Sequence, residues 1–179
     1  MESTSSGGLS EHRFRQRLDL MSDFEFSVVD ATSSTARWAM GEYLNELTER
    51  FPEGFDSASA IEEAASTLNP PHGFFAIVGP AQEPSGCGGV HFLDDVRGEI
   101  KRMWVAPDRR GQGVATEILA FLEGKIRESG RTIALLDTNR VLTNAIALYE
   151  RCGYQPTPRY NDNPYAHFWF RKDLAPPAD

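Results

Sequence analysis

The segment Val105-Ala106-Pro107-Asp108-Arg109-Arg110-Gly111-Gln112-Gly113-Val114-Ala115 constrains this chain more than any other, because it joins an apolar strand directly to a strongly periodic helix. Beyond it Val114, Ile118, Leu122 and Ile126 recur four apart as one apolar stripe, which leaves Glu117, Glu123, Lys125 and Arg127 for the outer face. The first turn of a helix carries unpaired N–H groups and the positive end of the macrodipole. Glycines at 111 and 113 let the backbone approach a ligand that a Cβ would hold off. With Arg109 and Arg110 alongside, the junction is an anion site suited to a pyrophosphate. It is not a Walker loop, since no lysine follows the glycines. Nor is it a dinucleotide fingerprint, which needs Gly or Ala where Thr116 stands.

Elsewhere the pattern alternates between strands and helices. Phe24 to Val29 reads as a first strand, and Ser33 and Ser34 are caps for a helix from Thr35 to Phe51 that Pro52 and Gly54 stop. A second helix runs from Ser57 to Leu68 and ends at Asn69-Pro70-Pro71. Gly73 to Val78, Gly88 to Leu93 and Glu99 to Val105 read as three successive antiparallel strands, the last two joined by Asp94 to Gly98. Thr132 to Leu136 is apolar on both faces, as a central strand covered by helices should be. A helix follows from Leu142 to Arg151 with Gly153 as its C-terminal cap. Tyr154 to Tyr160 and His167 to Leu174 are two last strands joined by Asn161-Asp162-Asn163-Pro164. This order predicts an α+β fold: a mixed, mostly antiparallel sheet of about seven strands with helices on both faces.

The 179 residues suffice for one domain with its own core. It is expected over residues 23–174, with residues 1–22 a mobile, polar leader and 175–179 a short tail. A formal net charge of −8 argues against nucleic acid as a partner and fits an amine-bearing one. Cys87 and Cys152 lack metal-ligand spacing and read as core fillers, so no metal is expected. Reduced thiols suit a cytoplasmic protein. No apolar run reaches the roughly 20 residues that span a bilayer, and the first 20 residues have no apolar signal core.

Two motifs in order carry a resemblance. Arg110-Gly111-Gln112-Gly113-Val114-Ala115 matches the [QR]-x-x-G-x-[GA] signature of the GNAT superfamily of N-acetyltransferases. Asn144-Ala145-Ile146-Ala147-Leu148-Tyr149-Glu150-Arg151-Cys152-Gly153-Tyr154 resembles that family's N-x-x-A-x-x-L-Y-E-x-x-G-[FY] helix. The likeness spans residues 24 to 174. It implies direct transfer of an acetyl group from acetyl-CoA to an amine, with the N–H groups of Gly111 to Ala115 on the pyrophosphate. Met103, Trp104 and Val105 are then expected at a bulge or splay in the fourth strand, where free backbone groups meet the pantetheine and polarise the thioester.

The same resemblance makes Tyr149 the general acid for the departing thiolate, with a core tyrosine at helical spacing with Ala145 and Cys152 as the alternative. Asn144 becomes a pantetheine contact, although its place near the helix start also suits a cap. Glu99 is the candidate base, with a solvent-facing strand carboxylate as the alternative and His91 in reserve. Tyr160 to His167, the densest polar and aromatic cluster outside the motifs, is placed at the acceptor pocket. With Leu136-Asp137-Thr138-Asn139 it also looks like the acetyltransferase half of MarR-type regulator fusions. Aromatic residues in the last hairpin suit a homodimer contact. A small-molecule amine is the expected acceptor, with a protein acetylase and a noncatalytic acyl-CoA sensor as rivals.

Overall fold

The apolar runs pair side by side into one seven-stranded sheet. The computed structural model describes residues 24–52 and 54–174; the leader and tail expected from the sequence lie outside them. In chain order the elements are β1 (Phe26–Val29), α1 (Ser34–Arg50), α2 (Ser57–Thr67), β2 (Gly73–Val78), β3 (Gly86–Phe92) and β4 (Arg97–Val105). A single 3-10 turn (Pro107–Arg109) then leads into α3 (Val114–Glu128), β5 (Ile133–Thr138), α4 (Thr143–Arg151), β6 (Gln155–Pro156) and β7 (Phe168–Asp173). The strand order is β1-β2-β3-β4-β5-β7-β6, and every neighbouring pair is antiparallel except β4 with β5.

Both faces of the sheet are covered. Val114, Ile118, Leu122 and Ile126 of α3 are each at most 2% exposed and pack with Leu148 and Tyr149 of α4 against one face. Burial of side chains this size contributes about 1.5–3 kcal/mol each. Ala36, Ala39 and Met40 of α1, with Ala64 of α2, cover Phe75, Ile77, Cys87 and Trp104 on the other face. Small alanines on these two helices let their backbones sit close to the strands. Ser33 caps α1 by accepting from the Ala36 N–H, and Asp56 caps α2 by accepting from the Ser59 N–H.

Four sequence expectations change. The strand expected over Tyr154 to Tyr160 is only Gln155–Pro156, because Pro156 and Pro158 bring no N–H to the ladder and the chain then turns back over the sheet. The β3–β4 turn lies earlier than Asp94 to Gly98: the Asp94 carboxylate accepts from the N–H groups of Val96 and Arg97, so β4 begins at Arg97. Glu123 is not on an outer face. It is 4% exposed, with Lys172 Nζ of β7 at 2.9 and 2.8 Å from its two oxygens and Arg127 beside it, so its burial is compensated by charge. Cys87 is a buried filler as expected, whereas Cys152 is only half-buried at the end of α4.

Two irregularities in β4 position the site. Against β3, Cys87 pairs with Trp104 but Gly89 with Lys101, so β4 carries one extra residue and Arg102 adopts the left-handed region at φ 58°. Against β5 the parallel pairing runs only from Arg97–Ile133 to Glu99–Leu135. Beyond that the two strands separate, and the edge of β4 from Ile100 onward has no ladder partner on that side.

Candidate active site

The opening between β4 and β5 leads into a groove of about 520 Å³ that runs along the start of α3 to the face of α4. Gly111 and Gly113 both have left-handed φ, 75° and 86°, and a Cβ built on either would meet nothing within 4 Å. The protein fold therefore leaves room there, and the conformation is the part that requires glycine. Among the described residues, no protein acceptor meets the N–H groups from Gly111 to Ala115, whereas the Thr116 and Glu117 N–H groups already bond the Gly113 carbonyl. Five consecutive donors at the positive end of a 15-residue helix make an anion cradle.

Of the expected coenzyme contacts, all but Gln112 border this groove. Gln112 instead donates from Nε2 to the Asp108 carbonyl at 3.0 Å, which braces the loop from within. Arg110 borders the groove but is not free: its Nη2 lies 2.6 Å from Glu46 Oε2 and its Nε donates to the Val105 carbonyl. It ties the loop to α1. Arg50 and Arg151 add cations to the groove wall that the sequence reading missed, because neither lies in the phosphate-loop segment. Asn144 is exposed on that wall, and α4 has no side-chain cap, so the capping alternative is not what it does.

A narrow cavity of about 100 Å³ sits where the strands part. It shares Met103, Ala145 and Tyr149 with the groove along α3 and shares Lys101, Arg102 and Tyr165 with a second, larger cavity of about 570 Å³. Tyr149 thus stands where the groove and the narrow cavity meet. Its ring packs near Tyr154 and Phe170, and burial pushes its phenol well above the usual tyrosine range. Tyr43, on the same two walls, is pushed up to about 12, chiefly by loss of water and against the pull of Arg102.

The larger cavity lies under α2 and the loop of residues 160–167. Glu99 lines it and is 3% exposed, so it is not a solvent-facing strand carboxylate. It accepts from Tyr160 Oη at 3.0 Å and Asn161 Nδ2 at 2.8 Å, with Lys101 Nζ at 3.5 Å and His91 Nδ1 at 3.8 Å. A second carboxylate joins it. Asp137 of β5 accepts from the same Asn161 Nδ2 at 2.6 Å and from Asn163 Nδ2 at 3.0 Å. Burial, and then the Glu99 charge, raise the Asp137 carboxyl above the usual aspartate range. Asp137 also lines the narrow cavity with Tyr149. In the sequence Asp137 stood out only as part of Leu136-Asp137-Thr138-Asn139, just past the apolar run Thr132 to Leu136, with no role assigned to it. The 160–167 loop walls this cavity, pinned by Trp169 Nε1 donating to Asn161 Oδ1 and by Asn139 Nδ2 donating to the Tyr165 carbonyl. Among the described residues no group of three or more His, Cys, Asp or Glu is placed to hold a metal. Among them, too, no helix is long and apolar enough to cross a membrane.

A groove of this length, with an anion cradle at one end and an unpaired strand edge beside it, suits a long ligand that ends in a phosphate. Comparison with known proteins gives the family. The Acetyltransferase (GNAT) family matches residues 40–154, and the chain belongs to it as an N-acetyltransferase-type acyltransferase. The chain is 27% identical over 146 residues to the IAA acetyltransferase of Azospirillum brasilense, covering 79% of this chain and 95% of that one. In fold it resembles a GNAT-family acetyltransferase of Staphylococcus aureus Mu50 (TM-score 0.71, 14% identity, 84% of this chain and 100% of the other). It also resembles a GNAT-family acetyltransferase of Elizabethkingia anophelis with acetyl-CoA bound (TM-score 0.60, 17% identity, 84% and 98%).

Proposed function

We propose that the chain transfers the acetyl group of acetyl-CoA directly to the primary amine of a small molecule. The observation that carries this reading is the row of three cavities through the β4–β5 opening, with the anion cradle at one end, Tyr149 at the junction and the Glu99–Asp137 pair at the other. The pyrophosphate is bound by the N–H groups of Gly111 to Ala115, and the pantetheine arm lies along Met103 to Val105 with Asn144 opposite. Unpaired backbone donors on that edge of β4 polarise the thioester carbonyl, where one donor is worth about 3 kcal/mol to the transition state.

The acceptor amine arrives as an ammonium and gives a proton to Glu99 or Asp137. Its nitrogen lone pair attacks the thioester carbonyl, the C–S bond breaks, the thiolate takes a proton from the Tyr149 hydroxyl, and the phenolate recovers the proton that the new amide nitrogen sheds. A tyrosine phenol, with an ordinary pKa of about 10, carries its proton at neutral pH, which is the form a general acid needs. A cavity of about 570 Å³ roofed by α2 and the 160–167 loop supports a small molecule over a polypeptide tail, since pockets of ~300–1,000 Å³ enclose small ligands. The two segments that look like the acetyltransferase half of MarR-type regulator fusions, Asp137 with its neighbours and the 160–167 loop, are the walls of this acceptor side. A homodimer through the final hairpin, where Phe168 is 44% exposed, and a cytoplasmic setting belong to the same reading.

Thiol release from acetyl-CoA over a panel of amines, corrected for hydrolysis, tests the proposal. Acetylated product with wild type and its loss in Glu99→Gln support it. Tight coenzyme binding with no amine turned over identifies an acyl-CoA sensor instead.

A further inference from the structure

We infer that the acceptor side contains an oxyanion subsite formed by Arg102 and Lys101, so that the preferred acceptor is an amine that also carries a carboxylate or phosphonate. This rests on the acetyltransfer reading above and adds the class of acceptor.

Strict alternation along β4 would put residues 101 and 102 on opposite faces. Ile100 and Met103 pack toward α3, while Trp104 packs toward α1. The extra residue of the bulge turns both Lys101 and Arg102 to the α2 side, where both reach the same partner. The turn requires a left-handed φ of 58° at Arg102, a conformation in which the Cβ of a non-glycine residue crowds the following carbonyl. Strain of this kind persists where the surroundings over-determine it, and it concentrates at ligand sites.

The two cations converge on one carboxylate. Lys101 Nζ lies 2.6 Å from Glu63 Oε1 and Arg102 Nη2 lies 2.8 Å from Glu63 Oε2. Their exposures are unequal: the side chains of Arg102 and Lys101 are 11% and 15% exposed, but that of Glu63 is 41% exposed. The cations are built into the wall, and the acid reaches in from the rim. Arg102 also has a buried donor with no partner, Nε, next to the occupied Nη2 edge. A guanidinium offers its Nε and Nη donors as a fork matched to a two-oxygen acceptor, and Glu63 uses only part of it.

Glu63 therefore occupies the place of a ligand's acid group. An incoming oxyanion exchanges with Glu63 at no cost in uncovering buried charge, since Glu63 swings to solvent and the cations stay paired. A neutral amine has nothing to gain there. Arg102 and Lys101 border both the narrow cavity that holds Tyr149 and the larger one that holds Glu99, so the acid and the reacting amine of one small molecule are bound side by side.

The test compares an α-amino acid, an ω-amino acid and an aminoalkylphosphonate with the amide or des-acid amine of the same chain length. Each is assayed by thiol release, and each N-acetylated product is titrated calorimetrically into the coenzyme A complex. Acid-bearing acceptors are expected to exceed their neutral counterparts by about tenfold or more in kcat/KM, the usual worth of a charge-assisted contact. Arg102→Gln should erase that preference while leaving neutral amines within about twofold; Lys101→Gln, which also removes a cation 3.5 Å from Glu99, should lower acid-bearing acceptors further than neutral ones, and Glu63→Gln should tighten acid-bearing ligands several-fold. Two different cation variants guard against one that fails to fold. A preference for either oxyanion supports the subsite, and the larger ratio names which one it takes. Equal kinetics and equal binding for acids and neutral amines overturn it, as do cation variants that depress both classes alike. If acids bind by the expected pattern but no amine of any kind releases thiol, the subsite stands and the acetyltransfer reading falls.

Discussion

Glu99 and Asp137, on neighbouring parallel strands, hang from one amide: Asn161 Nδ2 lies 2.8 Å from Glu99 Oε1 and 2.6 Å from Asp137 Oδ2. The Glu99 charge adds to what burial costs the Asp137 carboxylate, and the shared Asn161 donor offsets part of it. Removing the donor by Asn161→Ala leaves both acids short of a partner, at a cost of about 1–3 kcal/mol in stability. The Asp137 carboxyl, already raised, should rise further, so the acid limb of the kcat/KM profile moves to higher pH. Thermal melting and a pH–rate profile of the variant check the two effects; an unmoved acid limb refutes the assignment.

Tyr149→Phe keeps the ring that packs on Tyr154 and Phe170 and removes only the hydroxyl. Loss of a general acid should lower kcat roughly a hundredfold or more. Coenzyme affinity should stay near wild type, since the anion cradle is untouched. Steady-state kinetics with calorimetric titration of coenzyme A separate the two, and full activity in the variant removes Tyr149 from the mechanism.

Gly113→Ala tests the cradle by a different route. At φ 86° an alanine loses about 1 kcal/mol or more of folded stability through conformation alone. No protein atom lies within 4 Å of the added methyl, so any further effect has to come from the ligand. Coenzyme A should bind about tenfold weaker or worse, equal to 1.4 kcal/mol, while the melting temperature shifts only modestly. Unchanged coenzyme affinity would place the pyrophosphate elsewhere.

Stability should fall in acid. Hydrogen bonds to Thr32, Ser59 and Val96 hold the Asp30, Asp56 and Asp94 carboxyls below their ordinary value of 3.8. A lowered folded value means a contribution that is present above pH 3.8 and lost as pH falls through the folded values. Asp137 has the opposite sign: its raised carboxyl contributes at low pH and loses that contribution as pH rises through its folded value. Glu63, whose burial is outweighed by the Lys101 and Arg102 charges that hold it below its ordinary 4.5, makes four lowered carboxyls against one raised, a net loss of stability as pH falls. Urea midpoints between neutral pH and pH 3 measure the slope, and Asp56→Asn, which can still cap α2, should flatten it.

The anion cradle was legible in the sequence because everything it needs lies within a few residues: a strand end, two glycines and a helix whose apolar stripe orients it. The same holds for the Asn144–Tyr149 helix. The seven strands were countable from apolar runs and turn residues, with errors confined to ends, as at Pro156 and Pro158, where missing N–H groups shortened β6. Helical periodicity misplaced Glu123, since a wheel shows which face a residue takes on its own helix and not which lysine from β7 will cover it.

The acceptor side belongs to the tertiary structure. Asp137 meets Glu99 because parallel pairing sets Glu99 opposite Leu135 and then stops, and Asn161 meets both because the 160–167 loop folds back over the sheet. Arg102 joins Lys101 on one face only through a bulge that no alternation pattern reveals. By itself the sequence determined the coenzyme-facing half, whose hydrogen bonds and dipole are local to one strand–loop–helix. Register, bulge and loop docking, which join residues up to 109 positions apart, decided the half that we propose receives the acceptor.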